Sequence, residues 1–225
     1  MHASTLLSRS HSHDSGRTAC VSGCALAAVL AALAPAAIAG AELIDFEDLP
    51  HTGGAIVPVA GDHYAAQGLH ISSCTVPGTP MLDDVFTITD ILNEFAYVSN
   101  NNSVSGSNFA GARDLGLQDT LFSFSSPITS LSMISDSAPD GPTFRLLALQ
   151  ATGDPNTFRV VAIDEAVTGY QDHLDVSFAG GFSFAIFQVT TEQEGFDDIS
   201  YTFVPGPGAL AAFAAAGLAR SRRRK

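Results

Sequence analysis

Apolar and polar residues take turns along much of this chain, and a two-residue period confines it to strands. Leu174, Val176 and Phe178 alternate with Asp175 and Ser177, Gly180-Gly181 supplies two turn residues, and Phe182, Phe184 and Ile186 resume the alternation. Side chains two apart share a face of a strand, so this segment predicts a β-hairpin turning at Gly180-Gly181. Phe122 and Phe124 alternate with Ser123 and Ser125, Pro127 interrupts, and Ser130-Leu131-Ser132-Met133 continues. Ile199, Tyr201 and Phe203 alternate with Ser200 and Thr202 in the predicted final strand. Further strands are expected near 42–48, 69–76, 84–89, 143–151 and 157–164.

Turn-rich pieces separate them: Asn100-Asn101-Asn102-Ser103, Pro139-Asp140-Gly141-Pro142 and Gly153-Asp154-Pro155-Asn156. No stretch between 42 and 203 carries a 3.6-residue period capped at both ends, and no internal repeat is visible. About eight to ten short strands in one domain, 42–203, predict an all-β fold, a β-sandwich of the jelly-roll kind.

Both ends depart from this pattern. Arg9 and Arg17 precede an apolar stretch, Ala25 to Gly40, and Ala37-Ile38-Ala39 and Ala39-Gly40-Ala41 both offer small-x-small cleavage sites. Residues 1–41 are therefore expected to be a removable secretory signal peptide. Val21-Ser22-Gly23-Cys24 is no lipoprotein box, because the apolar stretch follows Cys24 instead of preceding it. At the other end, 204–225, Val204-Pro205-Gly206-Pro207-Gly208 leads into an apolar run from Ala209 to Ala219, closed by Arg220, Arg222, Arg223, Arg224 and Lys225. As a helix that run reaches only ~16 Å, about half of a hydrocarbon core. It makes a poor permanent anchor, and its basic end would be held in the cytoplasm, pausing the segment in the membrane. A plain short C-terminal membrane helix is the alternative.

The tail resembles the PEP-CTERM sorting signals of Gram-negative bacteria: a Pro-x-Pro motif, a short hydrophobic helix and an arginine-rich end. Pro205 and Pro207 match the two prolines, and Gly206 stands where that family most often has Glu. The resemblance implies a processing partner, a membrane protease-transferase of the exosortase type, transient membrane insertion, and delivery to the cell surface or extracellular matrix.

Removing both ends changes the charge. Of 23 acids and 10 basic residues, the central domain keeps 22 acids against Arg113, Arg145 and Arg159, a net charge of −19 with no lysine. A domain so acidic lacks the basic patch that nucleic acid or anionic membranes require. It suits divalent cations or a salty habitat, and equally serves solubility alone. Its single cysteine, Cys74, allows no intrachain disulfide and lies in the apolar stretch Leu69 to Val76, as a small buried hydrophobe does.

The domain itself looks like extracellular domains that commonly precede such tails, many of them similar to galactose-binding-like or carbohydrate-binding jelly rolls. The matching places are Ile44-Asp45-Phe46-Glu47-Asp48-Leu49-Pro50, Tyr64 to Gly68-Leu69, and Gly195-Phe196-Asp197-Asp198-Ile199-Ser200-Tyr201. If the first and last strands lie together, Glu47 and Asp48 face Asp197 and Asp198 across the rim. Clustered carboxylates with nearby carbonyls are what Ca²⁺ needs, and the resemblance implies a structural calcium at this place; the alternative is that these acids are solvated. Asp136-x-x-x-Asp140-Gly141 fails as a calcium loop, because Ala138 and Leu147 occupy ligand positions.

Catalytic patterns are weaker. His51, His63, His70 and His173 show no metal-protease spacing, no G-x-S-x-G elbow exists, and a glycosidase carboxylate pair chosen from 22 acids would be arbitrary. With no Trp and only Tyr64, Tyr97, Tyr170 and Tyr201, aromatic glycan platforms are scarce; most of the 15 phenylalanines fall on strand faces as core. The sequence therefore predicts a secreted, surface-sorted, non-enzymatic protein of the envelope or exopolysaccharide matrix that binds glycan or calcium. The alternatives are a secreted polysaccharide hydrolase or lyase and a purely structural matrix component.

Overall fold

The computed structural model of the chain describes residues 41–99, 105–113, 118–136, 144–166, 171–189 and 195–204. Twelve antiparallel strands are found among them: β1 Ala41–Ile44, β2 Val57–Ala60, β3 Leu69–Thr75, β4 Val85–Thr87, β5 Thr89–Leu92, β6 Glu94–Ser99, β7 Asn108–Ala112, β8 Asp119–Asp136, β9 Phe144–Ala151, β10 Thr157–Ala166, β11 Asp172–Val189 and β12 Gly195–Phe203. A 3-10 turn, Ala65–Gln67, leads into β3. The fold is the expected β-sandwich, and two long strands belong to both of its sheets. The first half of β8 pairs with β3 and its second half with β12, while β11 follows β8 along both halves.

One sheet runs β2-β6-β7-β12 and on to the second half of β8 and the first half of β11, with β1 also on β12. The other runs β5-β3, the first half of β8, the second half of β11, then β9-β10-β4. Their facing sides share a core. Phe196 of β12 meets Phe122 of β8 at 5.1 Å and Phe187 of β11 at 5.2 Å, both edge-on, the favoured arrangement of aromatic quadrupoles. Leu131, Met133, Leu174 and Val176 fill the same core from the shared strands.

The second sheet is buried on its other face too. Cys74, Leu121, Leu147, Leu149, Val160 and Ile186 form a smaller cluster there with Val76 and Ile88. The covering piece is a strap, residues 76–92, that leaves β3, touches β10 through β4 and returns to β3 through β5. This double burial explains the unbroken apolar run in β9, where Phe144, Leu146 and Ala148 enter the main core and Leu147 and Leu149 the smaller one.

The structure corrects the hairpin. Gly180-Gly181 does not reverse the chain: β11 continues through it, with register shifts between Ser177 and Phe182 and between Phe182 and Phe184. Gly181 adopts φ +73° at the bend. Bulges of this kind bend a strand and increase its twist, which lets one strand serve two sheets. The pattern also changes faces across the bend: Phe182 enters the main core, whereas Phe184 and Ile186 join the smaller cluster. Pro127 does not end a strand either, since β8 runs through it and the Pro127 carbonyl accepts from Val204 N–H at 2.9 Å. The first strand is shorter than expected, ending at Ile44.

Candidate functional site

The predicted closeness of the first and last strands is present. β1 pairs with β12 in the register Ala41↔Thr202 to Ile44↔Ile199. Beyond Ile44 the chain turns sharply, with Leu49 N–H donating to the Phe46 carbonyl at 3.1 Å and Glu47 N–H to Asp45 Oδ1 at 3.2 Å. Phe46, fully buried against Tyr64, Phe95 and Phe196, takes φ +59° to keep its ring in the core while the turn stays outside. That left-handed backbone is costly for a non-glycine residue and is held by the ring's packing.

The four rim acids divide between two tasks. Glu47 Oε1 accepts from Ser107 N–H at 2.7 Å and Asn108 N–H at 2.8 Å. Asp197, fully buried, accepts at Oδ2 from Ser105 N–H at 3.0 Å and at Oδ1 from Asp198 N–H at 2.8 Å. Asp198 Oδ1 accepts from the Ser105 hydroxyl at 2.7 Å. These three carboxylates therefore grip one segment, 105–108, leading into β7. Asp198 adopts φ +50° where the β12 register against β8 shifts between Asp197 and Ser200, so the Asp-Asp pair marks a bulge within the strand instead of opening it. Asp48 turns away, accepting from the Tyr64 hydroxyl at 2.7 Å and lying 2.9 Å from the His63 ring. Burial alone would raise the Asp48 carboxyl; the Tyr64 hydroxyl and the His63 ring and charge outweigh it and hold the group below its ordinary value. Burial and the Asp48 charge push the Tyr64 hydroxyl upward in turn.

Asn108, which no motif marks, locks the arrangement. Its Nδ2 donates to the carbonyls of Phe46 at 3.0 Å and Leu49 at 2.9 Å, and its Oδ1 accepts from the Ser99 hydroxyl. What the rim does chemically is satisfy backbone donors of a loop with charged acceptors, bonds stronger than neutral ones. Among the described residues, no group of three or more His, Cys, Asp or Glu is placed to hold a metal ion. The sequence-marked Asp140 lies outside the described residues, as do Tyr170, the motif residues Pro205 to Gly208 and the basic end.

A second polar assembly went unrecognised in the sequence. Arg145 of β9, 1% exposed, has Glu165 and Gln188 as its cross-strand neighbours. Its Nε donates to Glu165 Oε1 at 2.7 Å, one terminal nitrogen to Gln188 Oε1 at 3.0 Å, and the other to the Pro80 carbonyl at 2.7 Å. Gln188 Nε2 donates to the Gly78 carbonyl at 3.0 Å. The pair thus ties the strap to the sheet beneath it. The signal was a lone arginine inside Phe144-Arg145-Leu146-Leu147, a charge in a run too apolar for a surface strand.

No family model matches the chain, and no curated protein matches it. Solved structures similar to it include the CBM22-1 and GH10 modules of an endo-1,4-β-D-xylanase from Clostridium thermocellum complexed with xylohexaose, at 12% identity and TM-score 0.36 over 50% of this chain. This chain spans 25% of that one. The K2 cleaved adhesin domain of Lys-gingipain is 12% identical with TM-score 0.40, covering 73% of this chain and 100% of its own. The CBM22-2 xylan-binding domain from Paenibacillus barcinonensis is 10% identical with TM-score 0.28, covering 66% of this chain and 99% of its own.

Proposed function

We propose that the chain is a secreted, surface-sorted, non-enzymatic protein whose sandwich domain binds polysaccharide in the envelope or exopolysaccharide matrix. The observation that carries this is one acidic sandwich between an apolar leader and a Pro-x-Pro, apolar, arginine-rich tail. Removal of that tail is compatible with the described sheets, which need the chain as far as Val204, whose N–H bonds the Pro127 carbonyl. An exosortase-type enzyme acting beyond Val204 would leave the described sheets intact.

The charge selects among glycans. The domain's three arginines are divided among roles: Arg145 is buried, Arg113 pairs with Glu94 at 3.0 Å, and Arg159 lies exposed on β10. So few cations against 22 acids favour neutral polysaccharide over anionic polymers. Among the described residues the tyrosines, Tyr64, Tyr97 and Tyr201, are buried with their hydroxyls on Asp48, Pro50 and Gln67, so recognition would rest on hydrogen bonding instead of ring stacking.

The test is affinity electrophoresis of the full chain through gels containing neutral polysaccharides, with reducing ends assayed on the same polymers. Retardation by a neutral polymer without new reducing ends is expected. New reducing ends would replace this proposal with a hydrolase, new unsaturated ends with a lyase, and no retardation by any polymer with a structural matrix component. Calcium at the rim is a separate proposal on Glu47, Asp48, Asp197 and Asp198. An unchanged melting temperature on adding calcium to millimolar levels would leave Glu47, Asp197 and Asp198 with the loop-gripping role alone and Asp48 with its contacts to Tyr64 and His63.

A further inference from the structure

Where β8 and β11 bend from one sheet into the other, an open pocket of about 330 Å³ lies between them and β9. Its cause is local. β11 leaves its register with β8 between Ser177 and Phe182, Pro127 has no N–H to bridge the gap, and Gly180-Gly181 place no side chain in it. Pro127, Ala151 and the two glycines supply the apolar lining, Gln150 and Ser183 the polar side chains, and no charged side chain lines the pocket. Gln150 is set in advance, because its Nε2 donates to the Gly181 carbonyl at 3.0 Å. Its Oε1 accepts no bond from the described residues and stays open to solvent, as does the Ser183 hydroxyl. Beside them is a free cation. Arg159 of β10 stands directly opposite Gln150, on the same face, with Cβ atoms ~4.5–5.5 Å apart. It is exposed, and among the described residues it enters no salt bridge and no hydrogen bond.

We propose that this pocket is a subsite for one neutral sugar ring of a polysaccharide, held by two adjacent hydroxyls: one donates to Gln150 Oε1 and its neighbour accepts from the Arg159 guanidinium. The assignment deepens the polysaccharide-binding proposal and rests on it. The pairing of groups is what selects the ligand. An acceptor-only oxygen beside a donor-only guanidinium, with a hydroxyl on Ser183 that can do either, matches a vicinal diol, whose two hydroxyls can each give or take a proton. The C–H face of the same ring suits Pro127 and Ala151. A metal cation would find no carboxylate in the lining and Arg159 next to it. An anion would gain Arg159 but meet Gln150 Oε1 and a domain of strong negative charge, and an apolar group would leave Gln150 and Arg159 unused. The size suits one or two rings, at the low end of the ~300–1,000 Å³ of small-molecule sites. Gln150 is ordered before binding and Arg159 is not, so the ordering of Arg159 keeps the affinity for a single sugar low.

The experiment is amide NMR of the labelled full chain, titrated separately with D-glucose, D-galactose, D-mannose and D-xylose to tens of millimolar, and with D-glucuronate as a charged contrast. A saturable shift from at least one neutral sugar, confined to the amides around Gln150, Ala151, Gly180, Gly181 and Ser183, is expected. Arg159→Ala should weaken that binding about three- to tenfold with the melting temperature unchanged, since the exposed side chain bonds nothing in the described fold. Gln150→Met, which keeps the length and removes the amide, should weaken it by a similar factor. No localised shift from any neutral sugar, binding left unchanged by either variant, or saturation by D-glucuronate at lower concentration than by every neutral sugar would each overturn the subsite. Retardation by a neutral polysaccharide in a chain whose pocket amides answer no sugar would sink the subsite and spare the broader proposal. Localised sugar shifts without retardation by any polysaccharide would do the reverse.

Discussion

Asp119 carries its proton more readily in the fold than out of it. Burial pushes its carboxyl up to about 6, against the downward pull of the Val76 and Val189 N–H groups and the Gln188 amide. An acid shifted upward by folding contributes most below its unfolded value near 4, and that contribution is lost as pH rises through 6. Comparing urea unfolding of the parent chain and Asp119→Asn, the difference should change by about 2–3 kcal/mol between pH 4 and 7, the parent losing stability relative to the variant. A difference flat across that range would mean the burial is relieved by solvent. Asp48 runs oppositely: held low, it stabilises above its unfolded value and that contribution is lost as pH falls through its folded one, with a small effect because it is largely exposed. At the rim, Gly106 has φ +59°, and a Cβ there would overlap the Glu47 carboxylate. Gly53, at φ +63°, has nothing within 4 Å of a Cβ, so Gly53→Ala should cost only the left-handed backbone term, about 1 kcal/mol. Gly106→Ala should cost about 2–3 kcal/mol, because the bonds from Glu47 to Ser107 and Asn108 must also give; equal losses in the two variants would deny Glu47 its anchoring role.

The elements most visible in the sequence were those with one wet face. Ile199, Tyr201 and Phe203 gave β12 because its outer residues are polar, and β9 and β10 were legible from apolar runs bounded by turn residues. β2, β6 and β7 went unseen: the Pro in Val57–Ala60 masks an edge strand, and Glu94–Ser99 and Asn108–Ala112 are buried on both faces and show no alternation. The bend in β11 was read as a hairpin because two glycines suit a two-residue turn and a bulge alike, and only the β8 register separates them. Of the candidate site, the pairing of terminal strands that brings Glu47, Asp197 and Asp198 to one segment was legible, whereas Asn108 was not, since burial of an amide leaves no local pattern. The strap offers a test at this scale. Arg145→Met keeps the bulk and removes the bonds to the Pro80 carbonyl and Gln188. A loss of about 2–4 kcal/mol is expected, less than for a fully buried ion pair because Glu165 is half-exposed. Hydrogen exchange should quicken first at Asp83 and Ile88, whose N–H groups bond Val160 and Asn156, before β12 is affected; uniform quickening would show that Arg145 supports the whole sandwich instead of the strap.

For the whole molecule, the ends and the fold constrain one another. Two signal cleavage sites are available in the sequence, after Ala39 and after Ala41, and the expected signal, 1–41, takes the second. The sandwich argues for the first: Ala41 is the first residue of β1 and pairs with Thr202, two residues before Val204. Cleavage after Ala41 would remove a paired residue from a four-residue strand, while cleavage after Ala39 leaves it with Gly40 as a short lead. At the other end Val204 must stay for its bond to Pro127, so processing that preserves the fold falls beyond it. Removing 205–225 would also strip five basic residues from the chain, and loss of the leader two more, moving its net charge from −13 toward −19 and deepening the surface field that disfavours anionic polymers. Intact-mass measurement of the protein recovered from the surface of a host that expresses it with an exosortase-type enzyme should therefore give one species beginning at Gly40 and ending between Val204 and Gly208, with or without an adduct. A species that begins at Glu42 would show that the Ala41–Thr202 pair is dispensable. One that keeps Ala209 to Lys225 would make the tail a short anchor, holding the sandwich against a membrane and leaving its polysaccharide partner to be sought there.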